Sequence, residues 1–103
     1  MISITCFIKA NKISGFEVSG HANYDKKGKD IVCSAVSAIV IGGLNAIKNI
    51  DSFDIKIADN IVKCISISKV SDYDQIVIET IMTQLKTIEK EYDKYLQINE
   101  RME

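Results

Sequence analysis

Apolar and polar positions alternate from the start of the chain. Ile2, Ile4, Cys6 and Ile8 fall on one side of residues 2–9, and Ser3, Thr5, Phe7 and Lys9 on the other. That is the period of two of a half-buried strand. Ala10-Asn11-Lys12 supplies a tight turn into residues 13–19, where Phe16 and Val18 alternate with Glu17 and Ser19, so the two stretches form a predicted hairpin. Gly20-His21 stands at its far end. Residues 23–29 (NYDKKGK) have no apolar period and read as an exposed loop.

From Asp30 the period changes. Val32, Val36, Ile39, Val40, Leu44 and Ile47 recur by threes and fours between Ile31 and Ile50, which predicts a helix with Asp30 as its N-cap. Gly42-Gly43 weakens such a helix by roughly 1 kcal/mol per residue relative to alanine, so close packing against a neighbour is expected there. Phe53, Ile55 and Ile57 then alternate with Asp54, Lys56 and Ala58. Asp59-Asn60 turns the chain into a second alternating run, Ile61 to Val70, giving a second hairpin.

Ser71 with Asp74 resembles a shortened capping box, and Asp72 and Asp74 place negative charge at a helix's positive end. Ile78, Ile81, Met82, Leu85, Ile88, Tyr92, Tyr95 and Leu96 mark one helical stripe. A helix over Asp72 to Ile98 would be roughly 40 Å long, more than the diameter of so small a domain. An overhanging end that still carries Tyr92, Tyr95 and Leu96 calls for burial against a second copy, hence a homodimer. The expected order is ββαββα: an α/β chain of the α+β type, with a mainly antiparallel sheet covered by two helices.

Composition adds boundaries. A chain of 103 residues makes one domain, residues 1–103, since halves would be too small to bury a core. The apolar run from Ala35 to Leu44 is too short to span a bilayer. The opening MISITCFIKA lacks the basic and apolar regions of a secretory signal. A cytoplasmic protein with no membrane association is expected. Thirteen Lys and Arg against fourteen Asp and Glu leave a net charge of -1, so no direct nucleic-acid binding is expected, although contact with a nucleoprotein stays open. Three cysteines without a CxxC pair argue against a disulfide framework or a zinc knuckle and fit a reducing compartment.

The chemistry concentrates in GHANYDKKGKDIVCSAVS, Gly20 to Ser37, which holds the only histidine, His21, and one of the three cysteines, Cys33. With Asp30 as N-cap, Cys33 falls at the third helical position, where free N–H groups and the helix dipole favour thiolate over thiol. A nearby imidazole can take the thiol proton and later return one to a departing amine. The N–H groups of Cys33 and Ser34 are candidate donors to the oxyanion of a tetrahedral intermediate. Asp30 either orients the imidazole or only caps the helix. Ser37, one turn after Cys33, either supports the site or packs as a surface hydroxyl. Cys6 and Cys64 sit among strand isoleucines and valines as small apolar residues. No second histidine or close cysteine completes a metal site. One histidine and one cysteine in a dozen residues is also a frequent accident.

Gly-His-Ala, a short loop, then Gly-Lys-Asp-Ile-Val-Cys and the later serine resemble the signature of the ribosomal-processing cysteine peptidases. Length, element order and the charged final helix extend the resemblance over almost the whole chain. It implies a dyad of His21 and Cys33, with Gly20, Asp30 and Ser37 at supporting positions. Ser34 follows the nucleophile where relatives often carry alanine. It also implies removal of an N-terminal extension from large-subunit ribosomal protein twenty-seven in support of ribosome assembly, a homodimer of α/β subunits, and no metal or organic cofactor. The competing readings are a non-catalytic ribosome-assembly factor that grips the same extension, and an interaction module in which His21 and Cys33 only pack.

Overall fold

The structure, a computed structural model, describes all 103 residues. Strand β1 (Ile2–Lys9) and strand β2 (Lys12–Gly20) form the first hairpin. Ala10 and Asn11 at its tip both have left-handed backbones, with φ of 51° and 64°, which matches the turn to the twist of the strands. Helix α1 spans Ile31–Leu44, and a short 3₁₀ turn at Ile50–Ser52 leads into the second hairpin, β3 (Phe53–Ala58) and β4 (Ile61–Ser66). Helix α2 spans Asp72–Glu91, and the chain ends in β5 (Leu96–Met102). The sheet order is β3-β4-β2-β1-β5, antiparallel except where β5 runs parallel to β1.

One face of the sheet carries the core. Cys6, Phe16 and Cys64 lie directly opposite one another on β1, β2 and β4. They cluster with Ile4, Val18 and Leu96 beneath Val32, Val36, Val40 and Leu44 of α1 and Ile78, Ile81, Met82 and Leu85 of α2. These are the strand and helix stripes expected from the two periodicities.

Two helix ends differ from expectation, both for tertiary reasons. The first helix stops at Leu44, not near Ile50. Beyond it the Ala46 and Ile47 N–H groups bond only three residues back, to Gly43 and Leu44. Asp74, fully buried near the start of α2, then accepts the N–H groups of Lys48 and Asn49 at 2.8 and 2.9 Å and draws the chain off its axis. The last helix stops at Glu91, not Ile98. Tyr92 leaves the helical region at φ -128°, and both Tyr95 and Leu96 N–H groups fold back onto its carbonyl. Leu96 and Ile98 still face the core, now from a strand. The order is therefore ββαββαβ, and the overhanging helix that had called for a partner is absent.

The glycine pair is split. Gly42 faces open space, whereas a Cβ on Gly43 would stand 2.4 Å from Cγ1 of Ile81, so only Gly43 lets the helices approach. Gly42→Ala should raise stability by about 0.5–1 kcal/mol through helix propensity alone. Gly43→Ala should lower it by about 1–2 kcal/mol because overpacking against buried Ile81 outweighs that gain. Denaturant midpoints of the two variants moving the same way would remove this account of the interface.

Candidate active site

Asp30 begins the site. Its extended backbone (φ -83°, ψ 100°) ends the loop, and Oδ1 accepts the N–H groups of Val32 and Cys33, each at 3.0 Å. The N-cap reading of Asp30 therefore holds. Oδ2 accepts from Tyr24 at 2.9 Å and Asp25 at 3.5 Å. No hydrogen bond joins Asp30 to His21, so its oxygens are occupied by main chain. The carboxylate is 7% exposed. Burial pushes its pKa up, but the Cys33, Tyr24 and Asp25 N–H groups, with the Cys33 thiol, hold it below the ordinary range.

Gly20 turns the chain out of β2 toward His21. Its φ of +88° lies in the left-handed region, and a Cβ there would meet the Met1 carbonyl oxygen at 2.5 Å, so both conformation and space demand glycine. Its N–H bonds the Asn60 carbonyl at 3.1 Å, which ties the β3–β4 turn to the start of the histidine loop. The next residues bring the loop to the cysteine: the Ala22 N–H donates to Cys33 Sγ at 3.4 Å.

Two cavities meet here. A polar cleft of about 480 Å³ is lined by His21, Asn23, Asp25, Lys27, Asp30, Cys33, Ser34 and Asp59. A smaller one of about 160 Å³ is lined by His21, Cys33, Ser37 and Asp59 with Ile2, Val18, Val36, Ile61 and Val62. His21, Cys33 and Asp59 border both. The structure thus brings His21, Asp30, Cys33 and Ser34 to one cleft and puts Ser37 on the apolar side with Gly20. Ser37 is exposed and its hydroxyl bonds no other group of the chain. No group of three or more His, Cys, Asp or Glu side chains could hold a metal ion.

The expected oxyanion donors are engaged. The Cys33 N–H is held by Asp30 Oδ1 and the Ser34 N–H by the Asp30 carbonyl at 3.0 Å, because the same cap that starts the helix consumes its first donors. Asn23, Asp25 and Lys27 were legible only as loop residues between His21 and Cys33, and Asp59 only as a turn residue. They enter the site only because the loop and the β3–β4 turn converge.

The other thiols are unsuited to chemistry. Cys6 and Cys64 are fully buried. Burial raises the pKa of Cys6, with Lys86 lowering it and Glu100 raising it, and burial with the charge of Asp74 pushes Cys64 up to about 12. Cys33 is only partly buried and opens on both cavities.

A family model described as cysteine protease Prp matches residues 1–97. The ribosomal processing cysteine protease Prp of Staphylococcus aureus is 34% identical over 92 residues, 85% of this chain and 87% of that protein. The Bacillus subtilis protein of the same name is 31% identical over 94 residues, 84% of each chain. A crystal structure of the essential ribosomal processing protease Prp from S. aureus, with a covalently linked product peptide, superimposes with a TM-score of 0.89. It is 30% identical and covers 98% of this chain and 100% of that one. A second, with a substrate peptide, gives 0.82 at 29% identity, with 98% and 100% covered.

Limited alkylation of the folded protein should label Cys33 well before Cys6 or Cys64, read by peptide mass mapping. Labelling of either strand cysteine first would show the site's thiol to be the less available one. Asp30 gives a pH signature. A carboxyl depressed in the folded state contributes stability above its unfolded pKa, about 3.9, and loses it as pH falls through the folded value. Asp30→Asn sets an NH₂ where one oxygen accepts the Tyr24 and Asp25 N–H groups, so it should be less stable by about 1–3 kcal/mol near neutrality, with the gap closing in acid. A gap that is constant from neutral pH into acid would mean the charge of Asp30 is idle.

Proposed function

The chain belongs to the Prp family of ribosomal processing cysteine proteases, and from that footing we propose that Cys33 is its nucleophile and His21 its proton-transfer group. The observation carrying this is the shared border of His21 and Cys33 on both cavities, with the Ala22 N–H on Sγ. His21 takes the Cys33 proton, and Sγ attacks the scissile carbonyl carbon. The C–N bond breaks as the imidazolium protonates the departing amine, leaving a thioester. Water, deprotonated by His21, then attacks the thioester and releases the second product with Cys33 restored.

The substrate in this reading is the N-terminal extension of large-subunit ribosomal protein twenty-seven, removed in support of ribosome assembly. It follows from family resemblance and from a cleft whose two sides differ, one polar and one apolar, as an extended peptide's alternating side chains require. The loop of residues 23–29 closes over that peptide and excludes water. Gly20, Asp30, Ser34 and Ser37 serve as supporting or substrate-contacting positions, Gly20 and Asp30 by holding the main chain around the dyad. The resemblance also carries a homodimer and a cytoplasmic location. No helix here is long and apolar enough to cross a membrane.

Cys33→Ala and His21→Ala should each abolish cleavage of the extended ribosomal protein, followed by mass spectrometry. Cys33→Ala should cost the fold only on the order of 1 kcal/mol, since a small, partly buried side chain is removed. Capture of the substrate should survive. Undiminished cleavage by folded Cys33→Ala would refute the covalent mechanism, and capture without cleavage by the unmutated protein would favour the assembly-factor reading.

A further inference from the structure

The loop after His21 is held at Tyr24 by two unlike contacts. The Tyr24 main-chain N–H donates to Asp30 Oδ2 at 2.9 Å. Its ring stands edge-on to Tyr92, with centroids 5.6 Å apart at 85°, and to Tyr95, at 5.0 Å and 73°, the arrangement in which a ring's positive edge meets a negative face. Both partners are anchored in turn. The Tyr92 N–H bonds Ile88 O at the end of α2, and the Tyr95 carbonyl accepts from Ile2 N–H at 2.9 Å where β1 begins. The three rings therefore join the histidine loop to the α2–β5 joint and, through it, to the central sheet.

Between Ala22 and Tyr24 the chain passes through Asn23 at φ 56°. This left-handed conformation is tolerated by asparagine better than by most residues but is still unfavourable. It persists where flanking residues leave no alternative. On one flank Tyr24 is fixed by rings and carboxylate; on the other, buried Ala22 points its N–H at Cys33 Sγ.

We infer that Tyr24, Tyr92 and Tyr95 are positioning residues for the Cys33 thiolate, acting through the main-chain N–H of Ala22. The inference rests on the reading of Cys33 as nucleophile. The rings hold the Tyr24 main chain, the left-handed turn at Asn23 transmits that position, and the Ala22 N–H meets the sulfur. A donor aimed at sulfur stabilises its charged form over the neutral one. The Tyr24 hydroxyl makes no hydrogen bond, so the ring and not its oxygen carries the effect. None of the three rings lines either cavity, so none touches the reacting atoms.

The test uses the full chain and needs no ribosomal substrate. Cys33 alkylation by iodoacetamide is timed at about pH 7 and at about pH 9, where an ordinary thiol is mostly ionised and an ordinary tyrosine is not. The ratio of the two rates reports the thiolate fraction at neutrality and cancels access. Tyr24 is 40% exposed, so its truncation leaves the core intact, which dichroism confirms. Tyr24→Ala should lower the ratio about fivefold, since one hydrogen bond to a charged group is loosened. Tyr24→Phe should keep the parent ratio, and Tyr24→Leu, which fills the space without a ring, should fall with alanine. Peptide cleavage should show the same order in kcat with KM little changed. An unchanged ratio in folded Tyr24→Ala and Tyr24→Leu, or a loss in Tyr24→Phe as large as in alanine, would overturn the inference. If the unmutated protein fails to cut its peptide, the proposed function falls while the alkylation ratio still decides this point.

Discussion

Four main-chain N–H groups converge on the two oxygens of Asp30, and the geometry of the site depends on that convergence. One oxygen takes Val32 and Cys33 at the start of α1; the other takes Tyr24 and Asp25 from the loop. An ionised carboxylate has enough lone-pair capacity to serve both sides at once, whereas a serine or threonine cap has a single oxygen. The charge also faces the positive end of the helix. A helix start and a loop with no regular structure are thus joined at one side chain, and Cys33 and His21 come from the two pieces so joined.

Asp74 performs a related task at the other end of α1. It sits in the first turn of α2, where its N–H is held by Ser71 Oγ at 3.2 Å, and its carboxylate takes the Lys48 and Asn49 N–H groups. Without these two donors the fully buried Asp74 carboxylate would be left without partners. In both places an aspartate at the start of a helix fixes a distant stretch of chain, Asp30 as the N-cap of α1 and Asp74 from a first turn that Ser71 caps. No buried side-chain polar atom is left without a partner, as close packing of so small a domain requires.

The rigid part of the site is the sheet end. Gly20 passes against Met1, its N–H is held by Asn60, and Tyr95 and Ile2 tie the last strand to the first. These contacts set the height from which His21 leaves the sheet. The polar cleft and the apolar cavity are the two sides of that edge, one bounded by the loop and the helix start, the other by strand side chains that continue the core. The junction combines a polar, solvated flank with an apolar one.

The alternation of Ile2, Ile4 and Cys6, the repeat of Val32, Val36, Val40 and Leu44, and the cap at Asp30 were legible in the chain because each is a local periodicity or a local hydrogen bond. The nucleophile and base candidates were legible too, since His21 is the only imidazole and Cys33 the only cysteine at a helix start. Leu96 and Ile98 were not: an apolar spacing that continues α2 also fits a strand, and only pairing with β1 selects the strand. The early end of α1 was hidden for the same reason, because Asp74 lies 26 residues beyond the Lys48 N–H that it accepts. Tyr92 and Tyr95 were legible only as the end of an apolar stripe, Asp59 as a turn residue, and Asn23 and Tyr24 as loop; that they meet is decided when the loop, the second turn and the α2–β5 joint close on one another. Local period and local chemistry are properties of the sequence by itself; which oxygen answers which distant N–H is decided by tertiary structure, because that bond forms only once the core has brought its partners within reach.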